Sequence, residues 1–279
     1  MMEKRPLMPA EITDCTIQAA ESKAAGSIGK LMVLGILAGA FIAFAAEGSN
    51  MAAFNLLSRP ETYGLGKALA GAIFGTGLML VVLAGGELFT GNTLMLAAVL
   101  DRKITVGKML RNWGIVYLGN FIGSILIAYM MANSGLFACG ADGLGAVTLK
   151  IAVYKVGLSF TEGFFLGIMC NWLVCLAVWI AAGAETMAGK ILAIFFPIWL
   201  FITSGFEHSV ANMYYIPAGI LAKANPVFGE ILGISQEVLH SLNWGSFLVN
   251  NLIPVTLGNI VGGGVFVGMA YWYAYKKAS

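Results

Sequence analysis

The sequence has very little charge for its length of 279 residues. Only 11% of the residues are Asp, Glu, Lys or Arg, whereas 59% are hydrophobic, and the mean hydropathy is +0.84. Soluble domains are usually about 25% charged, so this composition excludes a water-soluble enzyme. The formal net charge of +2 is close to neutral, and we therefore expect no nucleic-acid partner.

Residues that bind metals or carry out covalent chemistry are also scarce. The chain has two histidines and four cysteines, and no Cys-x-x-Cys pair provides metal-ligand spacing. The sequence contains neither a phosphate-binding glycine loop nor a nucleophile with an adjacent base. We expect no enzymatic activity, no cofactor and no metal site.

Long apolar segments are the dominant feature of the sequence. A membrane-spanning helix needs roughly 20 apolar residues, and six segments meet this requirement. They are residues 31–54, 68–100, 112–133, 156–182, 190–216 and 245–274. The pattern predicts an all-α membrane protein. We divide it into an N-terminal cytoplasmic or interfacial helix (residues 1–30), a six-helix transmembrane domain (residues 31–275) and a short cytoplasmic tail (residues 276–279).

Basic residues are distributed unevenly between the predicted loops. If the N-terminus is cytoplasmic, eleven of the 16 Lys and Arg residues lie on the cytoplasmic side and five on the other. Cytoplasmic loops of membrane proteins carry an excess of Lys and Arg. The distribution therefore predicts a multi-pass protein of the cytoplasmic membrane with both termini in the cytoplasm.

The second and fifth segments are interrupted by polar and glycine-rich sequence. The interruptions are residues 85–92 (GGELFTGN) and 204–212 (SGFEHSVAN). Irregular backbone at membrane depth is tolerated only where it is buried in protein or lines a cavity. The sequence therefore predicts two broken helices that meet at a functional site.

Two six-residue segments resemble each other, residues 118–123 (LGNFIG) and 257–262 (LGNIVG). Together with the two interruptions, this predicts that segments one to three and four to six are repeats. Because each repeat has an odd number of spans, the two halves are expected to have opposite orientations in the membrane, as in many transporters.

Several polar residues in or near the interruptions are candidates for function. Ionisable residues at membrane depth are usually functional, and imidazole titrates near neutral pH. We predict that His208 donates a proton to a passing weak acid and that Thr90, in the other break, hydrogen-bonds to its ring. Glu87 and Glu207, which adjoin the two breaks, are interpreted as anchors of the helix ends or the backbone, and Asn212 as a further support of the second break. Lys155 is either an interfacial lysine or a charge that attracts anions.

Large apolar residues flank this polar centre. An anion that enters an apolar passage loses its hydration at a large cost, and protonation removes most of that cost. Any one of these residues alone is more often ordinary core, but as a group around a polar centre we interpret them as hydrophobic constrictions. Asn171 is either a cavity-facing group or an interhelical hydrogen-bonding residue. The constriction candidates are Phe74, Leu78, Leu88, Phe89 and Phe201.

These motifs resemble the formate/nitrite transporter family over about residues 20–276. The resemblance rests on residues 86–91 (GELFTG), 171–177 (NWLVCLA), 204–213 (SGFEHSVANM) and 253–259 (IPVTLGN). It implies an aquaporin-like six-helix protomer in the lipid bilayer. It also implies a homopentamer with one pore per subunit and an N-terminal helix that gates the cytoplasmic mouth.

The same resemblance assigns roles to individual residues. His208 corresponds to the central histidine of the family, Thr90 to the threonine of its omega loop and Lys155 to its vestibule lysine. Constriction and lining positions correspond to Phe74, Leu78, Leu88, Phe89, Asn171, Val174 and Phe201. The segment 138–149 is expected to be an outer loop that varies within the family.

The choice of substrate depends on weaker signals. Members of the family move formate, nitrite, hydrosulfide or short carboxylates, and residues 213–219 and 251–256 look more like the formate branch. We predict a formate channel, with a nitrite or hydrosulfide channel as the alternative. A neutral-solute, aquaporin-like pore is a further alternative, but the sequence has no Asn-Pro-Ala repeat.

Overall fold

The computed structural model describes residues 5–278; residues 1–4 and Ser279, the extreme ends of the predicted N-terminal segment and tail, lie outside the described residues. Six helices in this range are long and apolar enough to cross a membrane. They are α2 (Ile28–Leu57), α3 (Pro60–Gly85), α5 (Val106–Asn133), α7 (Phe160–Gly183), α8 (Met187–Ser204) and α12 (Trp244–Lys277). The prediction of an all-α membrane protein with six spanning helices is confirmed.

Shorter helices connect and flank the spanning ones. These are α1 (Pro9–Ala24), α4 (Phe89–Leu100), α6 (Gly143–Val156), α9 (Ser209–Ala222), α10 (Pro226–Leu232) and α11 (Gln236–Ser241). α4 contains a turn between its two helical pieces, and α3 and α12 include π-helical turns. Such turns often occur at functional positions within longer helices.

The start of the fourth spanning helix differs from the prediction. α7 begins at Phe160 rather than at residue 156 because Ser159 caps it. The Ser159 hydroxyl accepts a hydrogen bond from the Glu162 N–H (3.3 Å), and the Glu162 carboxylate accepts one from the Ser159 N–H (2.8 Å). This reciprocal arrangement is the capping box, which fixes a helix start.

The segment before α7 is the main departure from the sequence prediction. Residues 138–149 were expected to form an outer loop, but most of them belong to helix α6, which packs against α9. Leu144, Leu149 and Ala152 are fully buried. With 14 residues, α6 is too short to cross a bilayer, so a search for spans does not detect it.

Both ends of the described chain lie on one face of the molecule, which we call the N-terminal face. The Leu7 N–H donates to the Gly183 carbonyl (3.0 Å), and the Lys276 ammonium pairs with Asp14 at 2.6 Å. Helices α6, α10 and α11 lie on the opposite face. The distribution of basic residues predicts that the N-terminal face is cytoplasmic, and this orientation stays a prediction.

Glycines allow the closest contacts between spanning helices. A Cβ atom on Gly123 of α5 would overlap the Ile36 carbonyl oxygen of α2, and a Cβ on Gly262 of α12 would overlap the Ile168 carbonyl oxygen of α7. Small residues at such positions are a common way to bring transmembrane helices together. The two contacts are at corresponding places in the two halves of the chain.

We expect Gly262→Ala to lower the thermal stability of the protein in detergent. The added methyl group meets backbone, which cannot rotate away, and overpacking of this kind costs about 1–3 kcal/mol. Gly114→Ala is the matched control, because a Cβ there has no atom within 4 Å and alanine favours the helix. Equal unfolding midpoints for the two variants would contradict the proposed close packing.

Candidate functional site

Two helix breaks lie at the centre of the fold. α3 ends at Gly85 and α4 begins at Phe89; α8 ends at Ser204 and α9 begins at Ser209. Gly85 and Gly205 have φ angles of +97° and +81°, a region that glycine adopts without a steric penalty. Each break therefore ends one helix and starts another within a few residues.

Asn120 of α5 satisfies the backbone of the first break. Its Oδ1 accepts from the Phe89 N–H (2.9 Å), and its Nδ2 donates to the carbonyls of Gly35 (2.8 Å) and Glu87 (2.9 Å). The Glu87 N–H donates to the Leu34 carbonyl at 3.1 Å. These bonds replace those that a continuous helix would have made.

Asn259 of α12 makes the same three contacts at the second break. Its Oδ1 accepts from the Ser209 N–H (2.9 Å), and its Nδ2 donates to the carbonyls of Gly167 (2.8 Å) and Glu207 (3.0 Å). The Glu207 N–H donates to the Leu166 carbonyl at 3.3 Å. Both asparagines come from the repeated Leu-Gly-Asn sequence.

A polar cluster on the N-terminal face holds the first break. The Lys23 ammonium, in the last turn of α1, pairs with the Glu87 carboxylate at 2.8 Å and also donates to Asn92. The Asn92 Nδ2 donates to Glu87 (2.7 Å) and to Asn112 (2.8 Å), and the Asn112 Nδ2 donates to the Lys23 carbonyl (3.2 Å). We call these four residues the Lys23 cluster.

An equivalent cluster on the opposite face holds the second break. The Lys155 ammonium, in the last turn of α6, pairs with Glu207 at 2.7 Å. The Asn212 Nδ2 donates to Glu207 and to Asn251 (both 2.7 Å), and the Asn251 Nδ2 donates to the Lys155 carbonyl (2.9 Å). These residues form the Lys155 cluster. By these contacts, α6 corresponds to α1.

Four of these eight residues were not identified from the sequence: Lys23, Asn92, Asn112 and Asn251. A usable signal was present, because both breaks contain a glutamate followed five residues later by an asparagine. Glu207 and Asn212, which were predicted as supports, do contact each other.

His208 and Thr90 are in contact across the two breaks. The His208 Nε2 lies 2.9 Å from the Thr90 Oγ1, and both residues are buried. The His208 Nδ1 accepts a hydrogen bond from the Ala211 N–H at 3.0 Å. An acceptor nitrogen carries no proton, so the ring is a neutral imidazole with its proton on Nε2, directed at the threonine.

The backbone at Thr90 is held in place by hydrogen bonds to its carbonyl oxygen. That oxygen accepts from the Thr93 hydroxyl (2.7 Å), the Asn171 Nδ2 (3.1 Å) and the Cys175 thiol (3.4 Å). The Asn171 Nδ2 also contacts the Asn259 carbonyl at 2.7 Å. Of the two interpretations of Asn171, the contacts favour interhelical hydrogen bonding.

Two cavities approach this centre from opposite faces. The cavity of the N-terminal face has a volume of about 290 Å³ and reaches Leu78 and Leu88. The cavity of the opposite face, of about 390 Å³, reaches Phe201 and His208. Phe74 meets the Phe201 ring edge-on, with ring centroids 5.7 Å apart. Leu78, Leu88 and Phe201 are buried where the cavities end, whereas Phe74 lines neither cavity and is buried against Phe201.

The other predicted lining residues are placed differently. Phe89, Asn171 and Val174 line neither of the two cavities. Phe89 packs edge-on against Tyr117 and Trp113, with ring centroids 4.8 and 5.9 Å away. Its ring therefore anchors the start of α4 on α5.

Comparison with known proteins identifies the family. The family model described as formate/nitrite transporter matches residues 10–273. The chain belongs to this family. A probable formate transporter of Methanothermobacter thermautotrophicus is 40% identical, with 96% of this chain and 97% of the relative covered. The formate channel FocA of Haemophilus influenzae is also 40% identical, with 97% and 95% covered.

Solved structures of the family have the same fold. A pentameric formate channel with formate bound superimposes with a TM-score of 0.79 at 41% identity, covering 89% of this chain and 97% of that one. The protein is therefore a multi-pass membrane protein of a family of channels and transporters, as the sequence predicted.

Proposed function

We propose that the protein is a homopentameric channel for small monovalent anions of weak acids, with formate as its main substrate. Relatives at 40% identity are named as a formate transporter and a formate channel, and a solved relative is a pentamer with formate bound. Nitrite and hydrosulfide are the alternative substrates, because they are also small anions of weak acids. The basic residues support a cytoplasmic position for the N-terminal face.

The single observation that carries the mechanism is the His208–Thr90 contact between the two cavities. An anion that leaves the cavity of the opposite face meets Phe201 and Phe74, which offer no polar contact to replace its hydration. A neutral acid crosses such a constriction at far lower cost. His208 lies at this point. Once its imidazole has taken up a proton from the cavity of the opposite face, it can pass that proton to the anion and return to the neutral form.

The geometry of the imidazole suggests why its charged form is transient. A protonated ring would carry a proton on Nδ1, and its contact with the Ala211 N–H would be lost. The N-terminus of α9, where the ring lies, also disfavours positive charge. An imidazolium formed here would readily pass its proton to an approaching anion, and Thr90 would orient the ring.

Formate uptake by proteoliposomes tests this proposal. Formate that crosses as the neutral acid releases a proton inside, so an internal dye should report acidification faster than in protein-free liposomes. Water permeability, measured by osmotic shrinkage, should not rise in parallel. Fast water flux without formate uptake would instead favour a neutral-solute pore, and formate uptake without acidification would contradict the proton step. Nitrite and hydrosulfide in parallel assays rank the substrates.

A further inference from the structure

Three lysines line the cavity of the opposite face, Lys67, Lys150 and Lys155, and among the described residues only Lys155 of the three is held in an ion pair. The Lys155 ammonium pairs with the Glu207 Oε1 at 2.7 Å, and the Glu207 Oε2 accepts from Asn212 (2.7 Å) and Asn251 (3.4 Å). Both oxygens of Glu207 are thus occupied. The charge of Lys155 is offset by its partner and contributes little net attraction for an anion.

Lys67 of α3 lines the same cavity and differs from Lys155 in this respect. It is half-buried, and within residues 5–278 it has no hydrogen-bond or ion-pair partner. Its Nζ lies 3.8 Å from the position that a Cβ on Gly205 would take. The Lys67 ammonium therefore lies beside the break that carries His208, with no ion-pair partner of its own.

Two neutral donors of this cavity also lack partners. Asn50 is only 2% exposed, and its Nδ2 makes no hydrogen bond; the buried Thr203 Oγ1 has none either. Buried polar groups are nearly always hydrogen-bonded. The Asn212 Oδ1 of this cavity is also without a hydrogen bond within the described residues, but it is an acceptor. The two unpartnered donors beside the Lys67 ammonium indicate a polar ligand that accepts hydrogen bonds.

Asn50 and Thr203 lie on helices that contact α3 within one turn of Lys67. The Thr203 Oγ1 would lie 3.0 Å from a Cβ on Gly71, one helical turn after Lys67. Asn50 follows Ser49, whose hydroxyl donates to the Ala70 carbonyl at 2.9 Å, also within one turn of Lys67. The three donors thus approach the cavity from α2, α3 and α8.

We propose that Lys67, Asn50 and Thr203 form an anion-binding site in which a small carboxylate is held before it reaches His208. One ammonium and two neutral donors match the charge and the acceptors of a single carboxylate group. The site deepens the proposed function by naming where the anion first binds. It assigns the partly buried, unpaired positive charge of the cavity to Lys67 rather than to Lys155, the lysine that the family resemblance singles out. Lys150, the third lysine of the cavity, is exposed.

The test compares Lys67→Gln with the wild type in formate flux and in formate binding. Proteoliposome uptake gives the half-saturating formate concentration, and line broadening of ¹³C-formate measures binding to the solubilised protein. Loss of a nearby unit charge should raise the half-saturating concentration and the dissociation constant roughly tenfold. The maximal rate should change little, because His208 is untouched.

Two further variants serve as matched controls. Lys67→Arg keeps the charge and should restore most of the affinity. Arg59→Gln removes the same charge from an exposed residue that does not line this cavity, and it should leave both readouts unchanged. Where Lys67→Gln does not fold, Asn50→Leu takes its place, with a smaller rise in both constants expected.

The outcomes separate this site from the proposed function. Equal half-saturating concentrations and equal binding in the wild type and Lys67→Gln would overturn the site while leaving the channel function intact. Binding that depends on Lys67 in a wild-type protein without formate flux would support the site and overturn the proposed function. An equal loss in Arg59→Gln would reduce the effect to general surface charge and also overturn the site.

Discussion

His208→Asn is expected to remain folded while losing proton-coupled formate uptake. Asparagine is a good helix N-cap, so its Oδ1 can accept from the Ala211 N–H as the His208 Nδ1 does now, but it cannot titrate. Removing a positioned proton donor typically costs about 10²–10⁴-fold in rate. We expect at least the lower end of this loss in internal acidification, and no dependence of formate flux on pH from about 5 to 8.

The second histidine of the chain provides the control for this experiment. His240 is exposed in the short helix α11, so His240→Asn removes an imidazole without changing the pore centre. It should keep both the rate and the pH dependence of the wild type. Wild-type acidification in His208→Asn would refute the proton-donor role. His208→Ala removes the helix cap as well, so its loss of stability relative to His208→Asn measures the contribution of the cap.

The breaks and the His208–Thr90 contact could be predicted from the sequence because polar residues inside a membrane are energetically costly. Glycines, a glutamate and a histidine inside apolar segments are costly unless the fold accommodates them. The position of such residues therefore indicates a break in the helix even when the residues that they contact are unknown. The structure has helix ends at both interruptions and brings the two side chains to 2.9 Å.

Contacts between distant parts of the chain were not accessible in the same way. Lys23 contacts Glu87, 64 residues away, and Lys155 contacts Glu207, 52 residues away. The distribution of basic residues between the loops does not distinguish these two lysines from other charged residues near a membrane surface. Helix α6 was not predicted because it is too short to be recognised as a membrane span. Its burial results from packing against α9, which the sequence alone does not show.

Comparison of the two halves separates structural from functional positions. The glutamates, the asparagines five residues later and the lysines that pair with them occur in both halves. The residue after each glutamate differs: it is Leu88 in the first half and His208 in the second. The recurring residues hold the breaks in both halves, whereas the other positions of the breaks differ. Thr90, for example, corresponds to Val210, so neither side chain of the His208–Thr90 contact is repeated in the other half.

Asn259→Leu is expected to have the largest effect on folding. The substitution keeps the side-chain size but leaves the Ser209 N–H and the carbonyls of Gly167 and Glu207 without their present partner. Each unsatisfied buried group costs about 1–3 kcal/mol, so the loss should be at least about 3 kcal/mol. We expect little folded protein, measured by size-exclusion chromatography and by the thermal midpoint of what remains.

Asn120→Leu extends this prediction to the first break and tests the equivalence of the halves. Asn120 makes the corresponding three bonds, so its loss should destabilise the protein to a similar degree. Asn133→Leu is the control, since Asn133 is exposed and donates only to a carbonyl of its own helix. If Asn259→Leu were severe and Asn120→Leu as mild as the control, the contacts of the two asparagines would not be energetically equivalent, and only the second break would depend on this support.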